Sequence, residues 1–130
     1  MQDSKRQNKI SEGSDNEGAI YDINGRCLVI RLTKELDHHT AVLIREKADR
    51  IIDRNNIKHI IFDFSEATFM DSAGIGVIMG RYKKVIFIGG KAAVANVNST
   101  IDRIFKLSGL YKIIEKYESV EVALKMFQGA

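Results

Sequence analysis

Short apolar runs alternate with segments of helical periodicity along most of this chain, and this alternation constrains the fold more than any other feature. The strand-like runs lie at 19–23, 26–32, 58–64, 91–97 and 111–117, and the helical segments at 40–55, 72–86, 99–109 and 120–127. A helix between two strands usually makes them parallel, whereas a tight turn makes them antiparallel. The order ββαβαβαβα therefore predicts a single α/β (α+β) domain with a mixed β-sheet, an N-terminal hairpin and about four helices.

Turn and capping residues mark the ends of these elements. Asn24-Gly25 separates two apolar runs and predicts a type I′ turn, because both residues tolerate positive φ angles. Thr40 is the predicted N-cap of the first helix, and Ser99 or Thr100 that of the third, which Gly109 should end. The elements are therefore bounded by local signals as well as by periodicity.

Residues 1–18 are almost entirely polar, with Met1 and Ile10 as the exceptions. Such a segment cannot bury enough surface to offset the entropy of ordering it, so we predict a mobile tail at 1–18 and a domain at 19–130. The start lacks the apolar core of a signal peptide, and no run approaches the ~18 apolar residues of a membrane span. We expect a cytoplasmic protein with no membrane partner.

The distribution of charge argues against nucleic-acid binding, and the single cysteine cannot form a disulfide within the chain. The 20 Lys and Arg residues are interleaved with 17 Asp and Glu, so the net charge of +3 forms no basic tract, and we expect no nucleic-acid partner. The single cysteine, Cys27, lies in the apolar run CLVIRL and is predicted to be a buried small hydrophobe.

The segment FDFSEATFMDSAGIGVIMGRYKKV (62–85) places Ser72, Gly74, Gly76 and Gly80 after a predicted strand. Glycines there suggest a nucleotide-binding loop, but their spacing is one residue too long for G-x-G-x-x-G and no Gly-Lys-Ser/Thr follows. Structural glycines that permit close helix-to-sheet approach explain the pattern better. A nucleotide-binding or nucleotide-hydrolysing regulatory domain that uses the Gly74–Gly80 segment is the alternative.

Catalytic and metal chemistry find little support. A nucleophilic serine needs an oriented base, and His59 begins the strand whose far end leads to Ser72. Asp37, His38 and His39 are adjacent, so alternate side chains diverge and cannot readily hold one ion. We expect no catalytic, cofactor-binding or metal-binding residues.

Ser72 at a predicted helix start beside Asp71 leaves two interpretations open. Either residue could simply cap the helix, or the hydroxyl could be displayed for modification. A phosphate on Ser72 would face the positive end of the helix dipole, so the fold would tolerate it. A partner that docks an acidic or apolar surface there would not tolerate the phosphate, which would make the modification a switch at the interface.

The elements FMDSAGIGVIMGRYK, LTKELDHHT and LSGLYKII resemble those of the STAS-class anti-anti-sigma factors, also called anti-sigma factor antagonists. The resemblance runs from Ala19 to the C-terminus, and ELDHHT and GRYK are most similar to the sporulation branch. Lys34 stands where a glycine is usual. Ala73 replaces a second serine, which leaves Ser72 as the one hydroxyl at this helix start.

This resemblance implies a STAS fold and a non-enzymatic bacterial phosphoprotein that regulates transcription during sporulation. Ser72 would be phosphorylated by the cognate anti-sigma factor, an ATP-dependent serine kinase of the GHKL type, and a PP2C-type phosphatase would restore it. The unphosphorylated form would bind the kinase and release its sigma factor. A stress pathway with the same switch is the alternative within the class. The implied partner-binding residues are Asp37, His38, Thr40, Asp71, Ser72, Gly74, Ile75, Arg81 and Tyr82.

Overall fold

The computed structural model describes residues 18–128, and its elements follow the predicted order. The strands are β1 (Ala19–Asn24), β2 (Cys27–Leu32), β3 (His59–Asp63), β4 (Ala92–Ala95) and β5 (Glu115–Tyr117). The helices are α1 (His38–Arg54), α2 (Ser72–Phe87), α3 (Ser99–Ser108) and α4 (Val120–Gln128), with a 3-10 turn at Leu110–Lys112. The predicted tail, apart from Gly18, lies outside the described residues, as do the last two residues of the predicted domain.

The five strands form one mixed sheet in the order β1-β2-β3-β4-β5. β1 pairs antiparallel with β2, and the other three pairings are parallel. Each parallel pair is joined by one helix, as the alternation predicted. The predicted mixed sheet with an N-terminal hairpin is confirmed.

The two faces of the sheet are covered unequally. Leu28 and Ile30 of β2 join the large core under α1, α2 and α3, whereas Cys27 and Val29 point to a smaller core under α4. This alternation follows from the two-residue period of a strand. Cys27 is buried, as predicted, and burial raises the pKa of its thiol to about 12.

The hairpin differs from its prediction in the turn. Asn24 pairs with Cys27, so the two loop residues are Gly25 and Arg26. Among these, positive φ occurs at Gly25 (62°) and not at Arg26, which is the pattern of a type II′ turn. The type I′ prediction was wrong because the strand pairing includes Asn24 and shifts the loop by one residue.

The C-terminal half differs from its prediction in two details. Asn98, rather than Ser99 or Thr100, caps α3, since its Oδ1 accepts a hydrogen bond of 2.8 Å from the Ile101 N–H. Gly109 ends α3 as predicted, with a φ of 79°. A 3-10 turn follows it, and β5 therefore begins only at Glu115. Within residues 18–128, no helix is long and apolar enough to cross a bilayer.

Candidate functional site

Three helix N-termini lie at one edge of the sheet. α1, α2 and α3 follow the carboxyl ends of β2, β3 and β4, and their N-caps are Asp37, Asp71 and Asn98. In open α/β sheets, ligands and partners bind at this edge, where the positive ends of helix dipoles also gather. The candidate functional surface is therefore sought within this edge.

The loops that lead into α1 and α2 are joined by a short parallel bridge between Leu36 and Met70. The Leu36 N–H donates to the Phe69 carbonyl at 3.0 Å, and the Asp71 N–H donates to the Leu36 carbonyl at 3.2 Å. Both bridge side chains are buried. The bridge therefore holds the two caps, each one residue further on, side by side.

The start of α2 displays Ser72. Asp71 is the N-cap, with its Oδ1 accepting a hydrogen bond of 2.8 Å from the Ala73 N–H. Ser72 is the first helical residue and is exposed; among the described residues no hydrogen bond engages its hydroxyl. Of the two interpretations open from the sequence, capping therefore belongs to Asp71, and the Ser72 hydroxyl is available to other chemistry.

The start of α1 uses its hydroxyl internally. Asp37 is the N-cap, so the prediction of Thr40 as the cap was wrong. Asp37 and Thr40 form a reciprocal capping box, in which each side chain accepts a hydrogen bond from the other's backbone N–H, at 3.0 and 3.1 Å. The hydrogen bond from the Thr40 N–H holds the pKa of Asp37 below its usual value, and the Thr40 side chain lowers it further.

A groove of about 240 Å³ runs between the first turns of α1 and α2. The groove is lined by His38 and Arg45 and by Val42 and Gly76; the sequence reasoning missed Val42 and Arg45, and it considered Gly76 only within the glycine segment. Phe69 was also missed. It is 48% exposed in the loop two residues before Asp71, where an aromatic residue in the otherwise small and polar stretch SEATF was the available signal.

The predicted partner-binding residues divide by location. Asp37 and Asp71 are half-buried at the edge, with His38 and Ser72 exposed beside them and Ile75 half-buried one turn further along α2. Thr40 and Gly74 are buried. Arg81 and Tyr82 lie nine and ten residues after Ser72, about 15 Å further along α2. The structure thus brings seven of the nine together, five of them accessible and two buried, and their role in binding stays a prediction.

Arg81 joins α1 to α2. It is only 5% exposed, and its Nε lies 2.9 Å from Asp49 Oδ1 on α1. A guanidinium NH donates to the Val77 carbonyl at 3.2 Å. Burial lowers the pKa of Arg81, and the negative charge of Asp49 raises it again in part. Arg81 therefore ties α1 to α2 and exposes little of its side chain at the surface.

The three glycines of the segment lie within α2 and do not form a loop of backbone N–H groups. A Cβ on Gly74 would lie 3.0 Å from side-chain atoms of Leu36 and Met70, which would have to shift, so packing favours glycine there. At Gly76 and Gly80 a Cβ would meet nothing within 4 Å. The packing interpretation is therefore confirmed for Gly74 and wrong for Gly76 and Gly80.

The mixed sheet, the three helices on one face and the displayed helix start define a single-domain α/β protein whose exposed features gather at one edge. The model of the STAS domain family matches residues 19–123, so the chain belongs to the STAS domain family. The resemblance inferred from the motifs and the predicted STAS fold are both confirmed.

Relatives with names and solved structures are consistent with this family. The chain is 43% identical over 97 residues to the anti-sigma F factor antagonist of Paenibacillus polymyxa, covering 75% of this chain and 83% of that protein. The anti-sigma factor antagonist SpoIIAA in its unphosphorylated form superposes with a TM-score of 0.72 at 28% identity, covering 86% of this chain and 99% of that one. The Bacillus cell fate determinant SpoIIAA in its phosphorylated form gives 0.68 at 31% identity, covering 83% and 97%.

Proposed function

We propose that this chain is an anti-sigma factor antagonist of the sporulation type, controlled by phosphorylation of Ser72. In the unphosphorylated state it binds a cognate anti-sigma factor and so releases the sigma factor, of the sigma F kind named for its Paenibacillus relative. Phosphorylation switches this binding off. The observation that carries the proposal is the exposed Ser72 hydroxyl at the start of α2, which no described residue engages.

The partner surface centres on the bridged loops and the groove. Phe69 offers an exposed aromatic anchor, and the groove between α1 and α2 offers an apolar wall rimmed by His38 and Arg45. Exposed aromatic side chains beside a concave wall are typical of residues that dominate interface energetics. The bridge and the Arg81–Asp49 pair keep these parts in register, so little ordering is required on binding.

The switch acts through charge at the interface. A phosphate on Ser72 adds about −1.5 to −2 charges beside the Asp71 carboxylate and faces the positive end of α2. The helix dipole compensates part of that charge, so the fold persists. A partner surface placed against Ser72 must desolvate the phosphate or oppose it with like charge, at a cost of several kcal/mol.

The partners that this switch requires are a GHKL-type serine kinase, which is the anti-sigma factor itself and uses ATP, and a PP2C-type phosphatase. The protein is then a substrate and a binding protein rather than an enzyme, acting in the bacterial cytoplasm on transcription.

The direct test is incubation with the anti-sigma factor kinase of the same genome and ATP, followed by mapping of the phosphate by mass spectrometry. We expect one phosphate, on Ser72, and none in Ser72→Ala. Ser72→Asp should fold normally and bind the kinase at least about 100-fold more weakly than wild type, because like-charge juxtaposition of ~3 kcal/mol corresponds to two decades.

Ser99 supplies a matched control, since it is also the exposed first residue of a helix behind a side-chain cap. Ser99→Asp should leave kinase affinity unchanged. A phosphate on Ser99, or equal losses from the two Asp variants, would contradict the assignment of Ser72. If Ser72→Asp melts well below wild type, the serine has a structural role instead.

A further inference from the structure

The end of α2 remote from Ser72 carries an apolar tip, formed by Ile86, Phe87 and Ile88. These consecutive residues are 47%, 90% and 50% exposed, and Gly89 then reverses the chain with a φ of 85°. Because Phe87 is almost completely exposed, the tip is convex and its apolar surface is left uncovered. Exposed apolar clusters of this kind mark surfaces that bind another protein or a membrane.

Lysine side chains surround the tip. Lys83 and Lys84 precede Phe87 by four and three residues, so they lie on the same face of α2 one turn further back. Lys91 follows the turn and lines a groove of about 200 Å³ together with Ile86. The exposed ring of Phe87 thus has lysines before it and after it in the sequence.

The acidic groups nearby are already engaged. Asp53 and Glu115 line the grooves on either side of the tip. Asp53 pairs with Lys84 at 3.1 Å, and Glu115 accepts a hydrogen bond from the Tyr117 hydroxyl. The Tyr117 hydroxyl is neutral and leaves the Glu115 carboxylate charged, so Lys83, Lys84 and Lys91 exceed the two carboxylates by one positive charge around the tip.

We propose that this tip docks peripherally on an anionic lipid bilayer. Phe87, with Ile86 and Ile88 beside it, enters the boundary between headgroups and acyl chains. Lys83 and Lys91 contact the lipid phosphates, while Lys84 stays paired with Asp53. One helical turn, about 5.4 Å along the axis of α2, separates the backbone positions of Lys83 and Phe87, which is within the ~5–10 Å by which apolar faces of interfacial helices are buried.

The charge favours a bilayer over a second copy of the chain. Two copies meeting at their tips would bring the like-charged lysines together, whereas anionic headgroups attract them. The expectation of no membrane partner rested on the absence of a spanning segment, and peripheral docking requires none. Ser72 lies at the other end of a 16-residue helix, about 24 Å away, so the switch surface stays accessible while the tip is docked.

The test is cosedimentation of the full chain with vesicles of phosphatidylglycerol and phosphatidylcholine in equal parts, and with vesicles of phosphatidylcholine alone. We expect binding to the anionic vesicles that weakens with added salt. Phe87→Ser should lower the affinity at least about tenfold, and Lys83→Gln about fivefold. The melting temperature of Phe87→Ser should stay near that of wild type, because the ring is already in solvent.

Matched controls come from α4, where Met126 is 55% exposed and Lys125 is exposed. Met126→Ser and Lys125→Gln should bind vesicles as wild type does. Failure to sediment with anionic vesicles, or affinity unchanged in Phe87→Ser, overturns the proposal. Sedimentation equilibrium without lipid provides a second check: a wild-type dimer that Phe87→Ser abolishes would make the tip a self-association surface instead.

Discussion

The starts of α1 and α2 use the same parts and put them to different uses. Each begins with an aspartate cap, Asp37 or Asp71, and the bridge between Leu36 and Met70 holds the two side by side. At α1 the hydroxyl of Thr40 accepts from the Asp37 N–H and donates to the Glu35 carbonyl at 2.9 Å. At α2 the hydroxyl of Ser72 faces solvent.

The spacing between cap and hydroxyl explains the difference. Thr40 is three residues after its cap, which is the position from which a side chain reaches back to the cap N–H and closes the box. Ser72 directly follows its cap, and the Asp71 carboxylate already accepts from the Ala73 N–H. One hydroxyl therefore stabilises the fold, while its neighbour across the bridge is left for function.

Removing each hydroxyl should separate these roles most clearly. Thr40→Val leaves the Asp37 N–H unpaired in a buried setting, so we expect the free energy of unfolding to fall by about 2 kcal/mol. Ser72→Ala should change it by less than about 0.5 kcal/mol, as for other exposed substitutions. Urea unfolding of both variants measures the contrast, and equal losses would show that Ser72 also supports the fold.

Alanine replacements of two glycines in α2 should separate a position packed against the bridge, Gly74, from one that contacts nothing, Gly80. Gly74→Ala pushes on Leu36 and Met70, so we expect a loss of about 1 kcal/mol and a displaced bridge. Gly80→Ala meets no neighbour and should gain up to about 1 kcal/mol from helix propensity. Thermal unfolding and kinase affinity together test this. Weaker kinase binding in Gly80→Ala than in Gly74→Ala would contradict the idea that the bridge positions the partner surface.

The smallest expected effect concerns acid. The pKa of Asp37 is lower in the folded state than in the unfolded chain, so its charge stabilises α1 above the ordinary carboxyl pKa near 3.8. This contribution is lost as the pH falls through the lowered folded value. Asp37→Asn keeps a good cap without the charge. The stability difference between wild type and Asp37→Asn should therefore shrink on acidification, as urea unfolding over a pH series would show; a constant difference would contradict it.

Most of the fold could be predicted because its signals are local. The apolar runs, Gly25 and Gly109 lie within a few residues of the features that they determine. Thr40 was mistaken for the cap because the residue that completes its box, Asp37, precedes it by three positions and was considered as a metal ligand and a partner-binding residue but not as a cap. The late start of β5 depended on a 3-10 turn that the apolar pattern of YKIIEKY does not distinguish from a strand.

The site could be predicted where one segment supplies it. Asp71 and Ser72 are adjacent in the sequence, and so their helix start was recognisable. Arg81 was predicted to border the partner surface, and its buried ion pair with Asp49, 32 residues earlier, could not be predicted because no local pattern reveals such a pairing. The groove depends in the same way on the packing of α1 against α2.

Cys27 gives the molecule a chemical reporter of its own integrity. A thiol reacts as its thiolate, and burial under α4 both raises the pKa of this one to about 12 and shields it from reagents. Alkylation can therefore proceed only when the small core opens, and there is one sulfhydryl per chain to count. The rate of labelling then measures how often β2 and α4 separate, at the face of the sheet opposite α1 and α2.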